Sequence, residues 1–271
     1  MSDLNINPEK TKNILVEFLH TDIQAAGFHR AVVGLSGGID STVSCFLAVS
    51  ALGKKNVLGI RMPYKTSSRE SLDHAQLVID QLGIESKTIE ITPMVEPLIE
   101  KFPEMDAFRK GNIMARERMI VLYDQSAASK GLVIGTGNKT EIILGYTTLF
   151  GDSACALNPI GDLYKTQVRQ LAGYLGVPDV IIQKPPSADL WKGQTDEGEM
   201  GITYESVDRL FFMLVEQGKT VDDCLAAGFT RDFIGSVFSR ARRNRFKRAL
   251  SPIASLSGKP LNEAIFDQEI R

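Results

Sequence analysis

Residues 31–46 read AVVGLSGGIDSTVSCF: an apolar stretch suited to a buried strand, a serine–glycine–glycine turn, and a run that continues as a helix to Gly53. No other segment narrows the choice of fold so far. A strand that passes straight into a helix through a tight glycine turn belongs to a crossover unit of a parallel sheet. Ligands bind at the carboxyl ends of such strands. Glycine lets the backbone take positive φ and come close to an anion. The helix start adds unpaired N–H groups and a positive dipole end, and Ser36 and Ser41 add hydroxyl donors. The expected ligand is therefore a phosphate group.

The alternation extends along the chain. A helix is expected over 7–27, with Asn7 as cap, Pro8 in its first turn, Gly27 as stop, and an apolar stripe of Ile14, Leu15, Phe18, Leu19 and Ile23. Strands are expected at 31–35, 56–62, 86–91 and 132–136, and helices at 41–52, 67–83 and 112–130. That pattern predicts an α/β fold, a doubly wound parallel sheet with helices on both faces. Beyond residue 160 the strand signals stop. Helices are expected at 162–176, 203–217, 220–227 and 230–248, with a long Pro-, Gly- and charge-rich loop over 184–201. No linker, repeat or low-complexity segment interrupts the chain, so residues 1–271 read as one domain with a helical C-terminal extension from about 203.

A formal net charge of -2 gives no case for nucleic acid or a membrane surface. No apolar run approaches the ~20 residues that cross a bilayer, and the polar start MSDLNINPEK lacks a signal peptide's apolar core. Cys45, Cys155 and Cys224 are scattered and odd in number, which suits a reducing cytoplasm.

Asp40 stands beside the phosphate turn, where a carboxylate repels the ligand unless a cation lies between them. Mg²⁺ prefers oxygen ligands and bridges carboxylates to phosphates, so Asp40 is a metal-ligand candidate; its other reading is a helix N-cap. The strand expected at 132–136 is followed by a second polar turn with Asn138, Lys139, Thr140 and Glu141. Glu141 is the candidate second carboxylate, Thr136 a nucleotide contact, and Lys165 a point charge for phosphate. Neither the G-x-x-x-x-G-K-[ST] nor the G-x-G-x-x-G fingerprint is present at the glycine turn.

SGGIDS (36–41) resembles the phosphate loop of PP-loop ATP pyrophosphatases. With RMP (61–63), GNIMARERM (111–119), IGTGNKTE (134–141), GYTTLFGD (145–152), PIGDLYKTQV (159–168) and PPSADLWKGQTDEGEMGITY (185–204), the chain resembles ammonia-dependent NAD synthetases over roughly residues 8–250. The resemblance implies that ATP adenylates the nicotinate carboxylate of deamido-NAD, releasing pyrophosphate, and that ammonia then displaces AMP. It implies an ATP loop at Gly34, Leu35, Ser36, Gly37, Gly38, Ile39, Asp40 and Ser41, with Arg61, Thr136, Lys165 and Ser187 as further ATP contacts. Mg²⁺ falls to Asp40 and Glu141. Arg116, Asp152, Phe246 and Lys247 fall to the dinucleotide, with Asp152 close to the reacting centre alongside Asp40 and Lys165. It further implies a homodimer with the substrate site at the interface, reached by Lys247, and a segment 185–201 that orders over the substrates.

The sequence departs from the family pattern in its acyl half. Leu149 and Phe150 stand where many relatives read K-Y, Ala156 where many have aspartate, and Phe246 where many have histidine. Nicotinate mononucleotide is therefore the alternative substrate, and a tRNA-modifying PP-loop enzyme or a nucleotide sensor without turnover the more distant alternatives. The stretch SRARRNRFKRAL (239–250) carries six cationic residues; it reads either as a solvated helix surface or as recognition of a small phosphate ligand. Only about 30 residues precede the first strand and none is cysteine, so free ammonia is the expected nitrogen donor.

Overall fold

The computed structural model describes residues 4–187, 195–249 and 254. Four parallel strands, β1 (Arg30–Gly34), β2 (Val57–Arg61), β3 (Glu85–Thr88) and β4 (Gly131–Ile134), form one sheet in the order β3-β2-β1-β4. The chain builds outward from β1 to β3, then returns to place β4 on the other side of β1. The order thus reverses between β1 and β4, and a crevice opens outside the carboxyl ends of those two strands. The glycine turn follows β1 directly into this crevice.

Twelve α-helices are described: α1 (Pro8–Ala25), α2 (Ile39–Leu52), α3 (Arg69–Leu82), α4 (Thr92–Glu100), α5 (Ala107–Ser129), α6 (Lys139–Leu144), α7 (Lys165–Leu175), α8 (Asp179–Ile182), α9 (Asp196–Met200), α10 (Tyr204–Phe211), α11 (Val221–Ala226) and α12 (Arg231–Arg243). Alternate residues of β1 face opposite layers, as pleating requires. Ala31 and Val33 pack with α1, α2 and α7, whereas Val32 joins Leu58, Ile60, Met114 and Val121 against α4 and α5. Each fully buried aliphatic side chain contributes about 1.5–3 kcal/mol relative to exposure, so both faces hold the sheet. A third core, with Leu144, Tyr164, Tyr204, Val207 and Phe211, fastens the C-terminal helices to α6 and the start of α7.

The helix bounds differ from expectation in several places. Asn7 does cap α1, accepting from Lys10 N at 3.0 Å, but Ile14 lies outside the apolar stripe and is exposed. Strand β3 ends at Thr88, and the chain stays beside β2 through Ile89 N to Arg61 O at 2.9 Å. Strand β4 ends at Ile134, not Thr136, because Gly135 N turns to Leu157 O at 2.7 Å. Helix α5 begins at Ala107, where Asp106 accepts from Arg109 N at 2.7 Å. The polar turn expected at 138–141 is the capped start of α6. Helices α4, α8 and α9 had no counterpart in the sequence reading. The helix expected over 203–217 widens to π geometry after Phe211, and α12 ends at Arg243 before a 3₁₀ turn over Arg245–Arg248. Positions 188–194 of the expected covering segment, and all of 251–271 except 254, lie outside the described residues.

Candidate active site

The glycine turn owes its shape to its own side chains. Gly37 takes φ 77°, and a Cβ there would lie 2.1 Å from Ser71 O. Ser36 Oγ accepts from Gly38 N at 3.2 Å, while Ser41 Oγ donates to Gly38 O at 3.0 Å. Gly38 is the N-cap residue of α2 and offers no side chain. The first N–H groups of α2, which have no intrahelical acceptor, therefore sit in the wall of a cavity of about 610 Å³.

Asp40 is the second residue of α2, so it is not the cap. Its Oδ1 accepts from Asn138 Nδ2 at 3.0 Å, and its Oδ2 accepts from Lys165 Nζ. Lys165 Nζ lies 3.4 Å from Glu141 Oε1. Asn138 and Glu141 form the capping box of α6: Glu141 N donates to Asn138 Oδ1 at 3.0 Å, and Asn138 N donates to Glu141 Oε2 at 3.2 Å. The box that starts α6 thus also aims Glu141 at the lysine. Lys165 is the first residue of α7, its side chain only 2 % exposed. Burial disfavours its ammonium, but Asp40 and Glu141 outweigh that and hold its pKa above the usual value. Glu141 goes the same way for a different reason: burial raises it, and Lys165 opposes only in part.

Asp196 joins this group. Tyr204 Oη donates to Asp196 Oδ2 at 3.1 Å, and lies 3.3 Å from Glu141 Oε1. Tyr146 Oη donates to Asp196 Oδ1 at 3.2 Å. Burial raises the Asp196 carboxyl above its ordinary range. Three carboxyl groups therefore crowd around one ammonium, and burial favours a proton on Glu141 and Asp196. Among the described residues, no group of three or more His, Cys, Asp or Glu side chains is arranged to hold a metal unaided.

Most of the residues singled out in the sequence line this cavity. Gly34, Leu35, Ser36, Gly38, Ile39, Asp40 and Ser41 do so from the turn. Thr136, Glu141, Asp152, Lys165, Ser187 and Lys247 face it from elsewhere. Gly37 lies behind the wall, against α3. Arg61 turns away, donating from Nη1 to Gln76 Oε1 at 2.5 Å. Arg116 donates from Nε to Leu149 O at 3.2 Å outside the cavity; the lining arginine of α5 is Arg118, two residues on. Phe246 is 63 % exposed and does not line it either. None of the three histidines lines the cavity.

The rim opposite the turn has its own logic. Asp152 accepts from Thr147 Oγ1 at 2.6 Å and Thr148 N at 2.8 Å, so its carboxylate fastens the tight loop in which Phe150 takes φ 58°. Lys247 Nζ donates to Gly145 O at 2.9 Å and Thr147 O at 2.7 Å, and Asn244 Nδ2 to Leu144 O at 3.0 Å. These donors satisfy carbonyls left open at the end of α6. Burial lowers the Lys247 pKa, with nearby Asp152 opposing.

A model of the family described as NAD synthase matches residues 11–251. The chain belongs to the NAD synthase family. It is 52 % identical over 256 residues to the NH3-dependent NAD(+) synthetase of Fusobacterium nucleatum, an alignment that covers 94 % of the chain and 99 % of that relative. The enzyme of the same name from Trichlorobacter lovleyi is 52 % identical over 262 residues, covering 97 % of the chain and 96 % of the relative. Among solved structures, NMN synthetase from Francisella tularensis superposes with a TM-score of 0.83 at 34 % identity, over 93 % of the chain and all of its counterpart. The NH3-dependent NAD synthetase of Campylobacter jejuni, in complex with nitrate, gives 0.79 at 32 % identity with the same coverage.

In this NAD synthase family member, sequence reasoning names Asn138 only as part of a polar turn and passes over Tyr146, Asp196 and Tyr204. Asn138 carried a legible signal, an Asn three residues before a Glu. Asp196, Tyr146 and Tyr204 sit within motif pieces, but nothing in their spacing shows that they converge.

Proposed function

We propose that the chain is a C–N ligase that amidates deamido-NAD with ammonia at the expense of ATP, giving NAD, AMP and pyrophosphate. The observation that carries this reading is the meeting of Asp40, Glu141 and Lys165 beside the amide-lined turn, in one cavity. A carboxylate is a poor acyl donor because oxide is a poor leaving group. Attack of the nicotinate carboxylate oxygen on the α-phosphorus of ATP, with loss of pyrophosphate, replaces oxide with AMP. Ammonia nitrogen then bonds to the acyl carbon, the C–O bond to AMP breaks, and the nitrogen gives up a proton.

The residues serve charge rather than nucleophilic attack. Turn N–H groups and Lys165 stabilise negative charge that builds on the departing pyrophosphate. Asp40 and Glu141 reach the same ammonium, that of Lys165, and their hard oxygens fit Mg²⁺. That ion, when bound, supplies further neutralisation of phosphate charge. Thr136 and Ser187 line the cavity, which supports a nucleotide contact for both, and Asp152 and Lys247 shape the acyl-substrate side in the same reading.

The test is a product assay on purified protein with ATP, Mg²⁺, ammonium and deamido-NAD. NAD, AMP and pyrophosphate are expected in equal amounts, with none formed when glutamine replaces ammonium. ATP binding without AMP release would overturn the reading in favour of a sensor, and tRNA-dependent ATP–pyrophosphate exchange would overturn it in favour of RNA modification. The likeness to an NMN synthetase and the departures at Leu149 and Ala156 support one second reading, nicotinate mononucleotide as the preferred acid. kcat/KM is expected to be larger for deamido-NAD, and the reverse order would transfer the assignment.

We further propose a homodimer packed across α5. Phe108, Ile120 and Tyr123 of that helix are 65 %, 54 % and 41 % exposed, and a second copy would cover them. Light scattering at micromolar concentration is expected to give twice the chain mass; a monomer would exclude the dimer. A cytoplasmic setting is supported by three cysteines that are all free thiols. No helix among the described residues is long and apolar enough to cross a membrane.

A further inference from the structure

Helix α7 delivers Lys165 from its very first position, yet Tyr164 before it gives no side-chain cap. Its leading N–H groups are satisfied from other helices. Lys165 N donates to Thr140 Oγ1 at 3.1 Å, and Thr166 N donates to Asp208 Oδ2 at 2.8 Å. Thr140 in turn donates its hydroxyl proton to Asp208 Oδ1. Asp208 belongs to α10, in the C-terminal helical part, and is 0 % exposed.

One buried carboxylate therefore ties three helix segments together. It caps α7 across space, where a negative charge at a helix start is favourable. Through Thr140 it also fixes the residue next to Glu141 on α6. Both partners are donors, so both carboxylate oxygens are used. We propose that Asp208 is a positioning residue for the reaction: it sets where Lys165 enters the cavity relative to Asp40 and Glu141. The C-terminal helices thereby act on the ATP side of the site without touching substrate. This inference rests on the proposed role of Lys165 in ATP use.

The conservative change Asp208→Asn keeps the volume but brings one acceptor oxygen where two are needed. Either Thr166 N or the Thr140 hydroxyl then loses its acceptor. Asp208→Asn is expected to lower kcat/KM for ATP at least tenfold, with less than a threefold change in the dissociation constant of deamido-NAD. A residue that merely holds the fold would not act through the lysine, so the deciding readout is a double-mutant cycle with Lys165→Met. In the Lys165→Met background, Asp208→Asn is expected to cost less than threefold. Equal losses in both backgrounds would overturn the proposal, as would full activity of Asp208→Asn. If Asp208→Asn fails to fold, the same cycle run with Thr140→Val decides, because that change breaks the link while leaving Asp208 capping Thr166. A Lys165→Met enzyme with unchanged ATP kinetics would instead sink the role of Lys165 itself, which separates the two failures.

Discussion

Lys165→Met is expected to lower kcat/KM for ATP by about 10²–10³-fold, the range seen when one preorganised group facing developing charge is removed. The substitution keeps the unbranched stem and removes only the ammonium. Its second effect falls on stability. Lys165 is buried between Asp40 and Glu141, with Asp196 close by. Removing one member of a buried charge group costs about 3–5 kcal/mol, because the remaining charges are left unpaired. The carboxyls can avoid part of that cost by taking a proton. Glu141 already sits above its ordinary carboxyl range because of burial, and loss of the lysine moves it higher. A carboxyl with a folded pKa above its unfolded one contributes stability at low pH that is lost as pH rises through the folded value. The melting-temperature deficit of Lys165→Met is therefore expected to widen as pH is raised from 7 to 9, through the parent Glu141 value of about 8. Millimolar Mg²⁺ is expected to narrow it by supplying the missing positive charge. Calorimetry across that pH range checks both expectations. A deficit that ignores pH, or ATP kinetics within threefold of the parent enzyme, would contradict the charge assignment.

The parts of this site that were legible in the sequence are those built from neighbours along the chain. The turn at 34–41 could be read because its glycines, serines and aspartate act within one strand-to-helix junction. Glu141 could be read because it falls in a polar turn directly after an apolar strand. What failed were contacts made by folding distant segments together. The face of α5 is hard to place because its apolar residues run around much of the helix, burying Gly111, Met114, Ala115 and Val121 while leaving Phe108 and Ile120 exposed. Arg116 and Arg118 then cannot be told apart by pattern, and it is Arg118 that faces the cavity. Helix α4 carries Pro93 and Pro97, residue types that weigh against a helix. Pro93 falls in its first turn, where the missing N–H is no loss. Asp208 did leave a trace. Tyr204, Val207, Asp208 and Phe211 follow helical spacing on one buried face, and a carboxylate among apolar residues on such a face calls for a partner. Which partner it takes depends on how α10 packs on α6 and α7, and no local rule supplies that. The sheet order β3-β2-β1-β4 is likewise a property of crossover direction rather than of any strand's own residues.

Gly37→Ala is expected to be the most damaging single-methyl change in the turn. Position 37 has φ 77°, a region in which an L side chain costs about 1–2 kcal/mol. The new Cβ would also lie 2.1 Å from Ser71 O and 2.9 Å from Ser71 C. These are backbone atoms in the first turn of α3, so relief requires the helix or the turn to move. Ser71 is held in place by its own contacts: its N–H donates to Ser68 Oγ at 3.1 Å, and its hydroxyl accepts from Lys184 Nζ at 2.9 Å. A shift of Ser71 would therefore carry Lys184, which lies on the cavity wall just before Ser187. The combined cost is expected to reach about 3 kcal/mol, placing it with the severe backbone substitutions. For a chain of this size that corresponds to a fall in melting temperature of roughly 6–12 °C. ATP affinity is expected to fall at least 100-fold, because the amides that face the phosphate are set by the same turn. Gly38→Ala is the control. Position 38 has φ -93°, and its nearest new contact is Ser36 Oγ at 3.3 Å. Alanine fits that backbone, so stability is expected to change by less than about 1 kcal/mol, while a methyl group on the cavity wall weakens ATP. Thermal unfolding and nucleotide calorimetry on the two variants separate the effects. If Gly37→Ala melts within 2 °C of the parent, α3 does not abut the turn as described, and the tight fit of the phosphate loop against Ser71 is wrong.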